Sequence, residues 1–195
     1  MPTSSNSEDA SKKKKAMRHF LVGIYALVVM SAAGVQAGHH EGEGEKQGVV
    51  IGTVFSDEGT PYSLIAGDTG LQQIWVDYIK AHNDRDLEKI AEINAEDWTG
   101  YPPDGIAIKG NAAHIEWLEA WFKTSDNPKW KVKWMIANTG PNEQGEMETW
   151  LTTGNDITFN DPEGNSVTEH HVHDVQFVGR QIKLINVYSR PTPAE

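Results

Sequence analysis

The sequence predicts an α+β domain, with three N-terminal helices packed on a curved antiparallel sheet. Three observations carry this expectation. Apolar residues recur at helical spacing from Leu71 to Phe122. The spacing switches to a period of two at Trp130, and turn signals then divide the rest into four extended runs.

Leu71, Ile74, Trp75, Tyr78 and Ile79 fall at i, i+3, i+4, i+7 and i+8, the stripe of an amphipathic helix. Asp68 or Thr69 is placed to cap it, and the polar run His82 to Asp86 is expected to break it. Leu87, Ile90, Ala91 and Ile93 mark a second, shorter helix. Asp97 to Gly105 contains two prolines and two glycines and reads as a loop. Gly110-Asn111 opens the third helix. Ile115, Leu118 and Phe122 form one apolar line on it, with His114, Trp117 and Trp121 alongside.

From Trp130 the chain alternates: Trp130, Val132, Trp134 and Ile136 share a face, with Lys131 and Lys133 opposite. Turns at Gly140–Asn142, Asp161–Asn165 and Gly179–Arg180 separate a second strand, Met147–Phe159, from the last two. In the stretch SVTEHHVHDVQFVGRQIKLINVYSR, the side chains of Glu169, His171, His173, Val175 and Phe177 point the same way. That face is apolar at Val175 and Phe177 and polar at His173, His171 and Glu169. It can close a core at one end and line a pocket at the other.

The first 37 residues have the layout of a secretory signal peptide. Lys12–Lys15 and Arg18 form a basic start, Phe20–Met30 an apolar run, and Val35-Gln36-Ala37 a small-residue cleavage site. The apolar run is shorter than the roughly 20 residues that span a bilayer, so cleavage is expected rather than an anchor. A periplasmic or secreted protein follows, without stable membrane association once the leader is gone. Removing five basic and two acidic side chains takes the formal charge from -11 to -14, which disfavours nucleic acid as a partner. With no cysteine, no disulfide holds the fold. Residues 38–66 read as a flexible, acidic, Gly-rich linker with a short strand-like run at Val49–Phe55. The folded domain is expected over 67–191, with a tail at 192–195.

The order of these phrases resembles the SnoaL-like branch of the nuclear-transport-factor-2-like superfamily, an α+β cone. The phrases are AHNDRDLEKIAEI, EDWTGYPPDG, IKGNAAHIEWLEAWF, ETWLTTGND and GNSVTEHHVHDVQFVGRQIKLINVYS, from about Gly67 to Arg190. The resemblance implies a pocket between sheet and helices, a small-molecule ligand and a homodimer. Where members are enzymes it implies proton-transfer chemistry without a cofactor, of the isomerase, dehydratase or cyclase kind. Other members only bind ligands or associate with themselves, so a non-catalytic domain is the alternative. Catalytic members carry an Asp or His on the inner face of a late strand, which points to His173. No arginine occurs on Glu148–Asp156, so an Asp-Arg-Asp epoxide-hydrolase arrangement has no match.

His173 as general base, His171 as its orienting neighbour, Tyr101 as a donor to an oxyanion and Asp104 as a second base are the candidate catalytic residues. Trp98, His114, Trp117, Trp134, Trp150 and Val175 are the candidate ligand walls. His171 and His173, completed by Glu169, are alternatively two imidazoles and a carboxylate for a metal, or a hydrogen-bonded structural pair. No cofactor is expected: no phosphate-binding glycine loop, nucleophile elbow or HExxH pattern is present.

Overall fold

In the computed structural model of the chain, residues 48–125, 127–161 and 163–191 are described. The expected signal segment 1–37, the first part of the expected linker and the expected tail 192–195 lie outside the described residues. The elements run β1 (Val50–Phe55), β2 (Pro61–Ala66), α1 (Gly70–Asp84), α2 (Leu87–Ile93), β3 (Asn94–Tyr101), β4 (Ile108–Lys109), α3 (Asn111–Thr124), β5 (Lys129–Pro141), β6 (Met147–Asn160), β7 (Ser166–Val178) and β8 (Gln181–Pro191). These strands form one sheet in the order β1-β2-β5-β6-β7-β8-β3-β4. Every neighbouring pair is antiparallel except β3 with β8, which runs parallel.

The helices form where the apolar spacing places them. Asp68 Oδ1 accepts the Gly70 N–H at 2.7 Å at the start of α1, whereas Thr69 makes no side-chain cap. The stripe Leu71, Trp75, Tyr78 continues one turn further than expected, to a buried His82. The helix stops instead at Arg85, which takes a left-handed conformation (φ 59°) and donates its N–H to the His82 carbonyl. Asp86 then caps α2 by accepting the Lys89 N–H at 2.9 Å. Trp75, Tyr78, Leu118 and Phe122 from the helices meet Leu151, Val175, Phe177, Ile182 and Ile185 of the sheet in one core.

Four expectations are corrected. The sheet has eight described strands rather than four. Asn94–Tyr101, whose second half falls in the expected loop, is strand β3: Ala95, Trp98 and Gly100 are buried in it, and the prolines act only after Tyr101. The helices do not all precede the strands, since a hairpin comes before α1 and the β3–β4 pair separates α2 from α3. Residues 50–66 of the expected linker are that hairpin, and β2 pairs with β5 through Ile65 and Ala66.

A β-bulge decides which aromatic residues face the helices. Val132 sits opposite Asn155 but Trp134 sits opposite Gly154, so Lys133 is an extra residue in β5. Side-chain alternation is therefore reset. Trp130, Val132, Met135 and Ala137 pack toward the core, while Trp134 is 45 % exposed on the other face. Trp150 also lies on that other face, opposite Gln176 and Asn138, with its indole N–H on Glu148 at 2.9 Å. Trp134 and Trp150 are thus not ligand walls of the inner cavity.

Candidate functional site

A cavity of about 890 Å³ lies between α1, α3, the loop after β3 and the inner face of the sheet. It contains His173, His171, Glu169, Trp98, His114, Trp117, Tyr101 and Asp104 of the expected residues. Val175 is fully enclosed in the core and does not line it. The cavity also brings in Trp75, Tyr78, His82, Trp121 and Trp130, which the sequence pattern assigns to helix stripe, helix break or strand face. His82 is detectable in the sequence: it continues the stripe Leu71, Trp75, Tyr78 by one more turn. Asn155 is detectable too, because it alternates with Leu151, Thr153 and Ile157 along β6.

The hydrogen bonds around His173 fix its tautomer. The indole N–H of Trp75 can only donate, and it meets Asn155 Oδ1 at 3.3 Å. The Asn155 amide nitrogen therefore faces Nδ1 of His173, 2.8 Å away, and donates to it. Nδ1 is then the acceptor, so the neutral ring carries its proton on Nε2.

His114 is fixed by the same logic from a different anchor. The Ala91 carbonyl can only accept, so Asn111 donates to it through Nδ2 at 2.8 Å. Oδ1 of Asn111 then accepts from Asn94 Nδ2 at 2.9 Å, and that same nitrogen donates to His114 Nδ1 at 3.0 Å. His114 also carries its proton on Nε2. Its ring stacks on Trp98 with centroids 3.7 Å apart. His82 is the opposite case. Its Nδ1 donates to the Tyr78 carbonyl at 2.8 Å, leaving Nε2 as a bare acceptor.

The burial of these rings keeps them uncharged. Burial lowers His173 to about 3, helped by His171 and His82. It lowers His114 to about 2, helped by His82, and His82 itself to about 4. Burial also raises the Tyr78 hydroxyl far above its ordinary value, with Asn94 and Trp98 opposing.

His171 works differently. Its Nε2 donates to Glu169 Oε2 at 3.0 Å, since a carboxylate can only accept. Its Nδ1 is enclosed without a partner, and its ring lines the cavity beside Glu169. The ring centres of His171 and His173 are 5.8 Å apart.

Of the other candidates, Asp104 Oδ1 accepts the Ile106 N–H at 3.1 Å, holding its own turn, and Tyr101 lines the cavity 39 % exposed. Among the described residues no three His, Cys, Asp or Glu side chains form a set that could hold a metal ion. Glu169, His171 and His173 do not make one, because the first two are bonded to each other and His173 Nδ1 is taken by Asn155. No described helix is long and apolar enough to cross a membrane.

No protein-family model matches the chain, and no curated protein matches it by sequence. Solved structures do match. A candidate ketosteroid isomerase from Kribbella flavida superposes with a TM-score of 0.50 at 15% identity, over 64% of this chain and 81% of that one. A candidate SnoaL-like polyketide cyclase from Shewanella putrefaciens gives 0.50 at 14% identity, over 63% and 80%. A second such candidate cyclase, from Jannaschia sp., gives 0.50 at 11% identity, over 63% and 86%. At these identities the likeness is one of architecture: the chain has the nuclear-transport-factor-2-like fold, three helices on an open, mostly antiparallel sheet.

Proposed function

We propose that the chain binds a small apolar or aromatic molecule in the inner cavity and moves a proton on it without a cofactor, in an isomerase, dehydratase or cyclase type of reaction. The observation that carries this reading is the wiring of His173. It is a buried, neutral imidazole, fixed by Asn155 with its Nε2 proton available in an aromatic-walled cavity. Such a group stabilises charge that develops on a substrate oxygen, because it is oriented before the reaction begins.

A ring whose Nε2 holds the proton does not suit the role of base, so the expected roles change. Glu169 is the better base: its carboxylate lines the cavity and is held by His171. The carboxylate would take a proton from carbon beside a carbonyl, His173 would hold the resulting oxyanion, and the proton would return at a second carbon. Carboxylate and donor lie on one strand face and line one cavity, with His171 between them. Tyr101, at the mouth, is then a contact for ligand entry.

The test starts with native mass spectrometry of the purified chain, to find a co-purifying molecule and supply an assay. Glu169→Gln is expected to lower kcat by about 10²–10⁴-fold while leaving ligand affinity within a few-fold. Retained turnover would refute Glu169 as base. Binding without turnover in the unaltered chain would favour the non-catalytic ligand-binding alternative.

A further inference from the structure

The inner end of the cavity holds two imidazoles that the proposed reaction does not use. His82 and His114 come from different helices, α1 and α3, and their ring centres are 6.1 Å apart. Their hydrogen bonds give them opposite character. His82 has spent its proton on the Tyr78 carbonyl and offers a lone pair at Nε2. His114 has its Nδ1 filled by Asn94 and offers a proton at Nε2.

Neither Nε2 is sealed off. Among the described residues, the enclosed side-chain atoms lacking a partner are Tyr78 Oη, Asn94 Oδ1, Trp98 Nε1, Ser125 Oγ and His171 Nδ1. Among the described residues the Nε2 atoms of His82 and His114 have no partner either and are not enclosed in this way, and both rings line the cavity. A donor and an acceptor, side by side and facing an aromatic-walled space, are unsatisfied until a ligand fills them.

We infer that this pair is a hydroxyl-recognition site: an uncharged ligand with a flat apolar body places one hydroxyl between His114 and His82. The hydroxyl oxygen accepts from His114 Nε2 and its hydrogen is donated to His82 Nε2. At ordinary hydrogen-bond lengths this needs nitrogens roughly 4.5–5.5 Å apart, which ring centres at 6.1 Å permit. A ketone or ether oxygen satisfies His114 but leaves His82 bare. A carboxylate meets two neutral rings, no lysine or arginine lining the cavity, and the carboxylates Asp104, Asp161 and Glu169. Trp98, already stacked on His114, and Trp121 supply the walls for the flat body. Burial keeps both rings neutral, which preserves the donor–acceptor pattern near neutral pH.

This specificity rests on the proposed ligand cavity, and a set of matched probes separates the two ideas. Calorimetric titration at pH 7.5 would compare 2-naphthol, 2-methoxynaphthalene and naphthalene-2-carboxylate on the full chain. The expected result is binding of 2-naphthol at least tenfold tighter than of the methyl ether, and no binding of the carboxylate. His82→Phe should bring naphthol down to the ether's affinity and leave the ether unchanged. Ether binding equal to naphthol in the unaltered chain would overturn the hydroxyl site while leaving the cavity standing. No binding by any probe would overturn both.

Discussion

Lowering the pH from 6.5 toward 4 is expected to strip stability from this domain faster than any other mild change of conditions. An unfolded histidine takes up a proton near pH 6.5. In the fold, burial holds His82 down to about 4, His173 to about 3 and His114 to about 2. Above pH 6.5 the three rings are neutral in both states and contribute no pH dependence. Below it, the unfolded chain binds protons that the folded chain refuses, so stability falls with pH. Each histidine removes about 1.4 kcal/mol per pH unit, and the three together roughly 4 kcal/mol per unit. Against a total of about 5–15 kcal/mol for an ordinary domain, that is enough to unfold the chain before pH 4. Asp156 and Asp161, both held below the ordinary carboxylate value, add their loss only at still lower pH. Urea midpoints at pH 7.5, 6.5, 5.5 and 4.5 check this, and His114→Gln should remove about a third of the slope. A flat midpoint from 6.5 to 4.5 would show that the rings do accept protons in the fold.

Asn155→Leu is expected to cost about 2–6 kcal/mol, because it leaves the Trp75 N–H and His173 Nδ1 buried without partners, each worth about 1–3 kcal/mol. Leucine fills nearly the same volume, so the loss reports the hydrogen bonds rather than a cavity. Trp75→Phe removes one of the two partners beforehand, so the double variant should cost less than the sum of the single ones. Nitrogen-15 spectra of the histidine rings give an independent readout: Nε2–H for His173 in the unaltered chain, and a tautomer mixture in Asn155→Leu. A single Nε2–H form in the variant would show that Asn155 does not set the tautomer.

Much of this arrangement is legible in the amino-acid sequence, and what escapes it does so for physical reasons. The helical stripes and the period-two strands come through because each places apolar side chains against one core, as at Leu71, Trp75 and Tyr78 or at His173 and Val175. Trp134 misleads because alternation counts residues, and the extra residue at Lys133 breaks the count without changing the local composition. Strand β3 is hidden because Asn94, Glu96 and Asp97 are polar and the strand is recognisable only through its partners β8 and β4. The site itself is half visible. The histidines on β7 and α3 stand out by residue type and spacing, but the tautomer of His173 depends on Asn155 and that of His114 on Asn94 and Asn111. An asparagine advertises no chemistry until its two ends are assigned by what they touch.

The parallel pairing of β3 with β8 bears on how the chain acquires its shape in time. Asn94 lies beside Ile182 and Tyr101 beside Asn186, so the strand that carries Trp98 toward the cavity docks on β8, a strand far along the chain from it. The hairpins β5–β6, β6–β7 and β7–β8 close through short turns and can zip in sequence, but this contact, like that of β2 with β5, joins distant parts of the chain, and it must await β8. Until then β3 has only the short strand β4 beside it, and the apolar surface of the helices has only part of its cover. A nascent chain halted before Gln181 would therefore present an open apolar face, the kind of surface that chaperones retain and aggregates recruit.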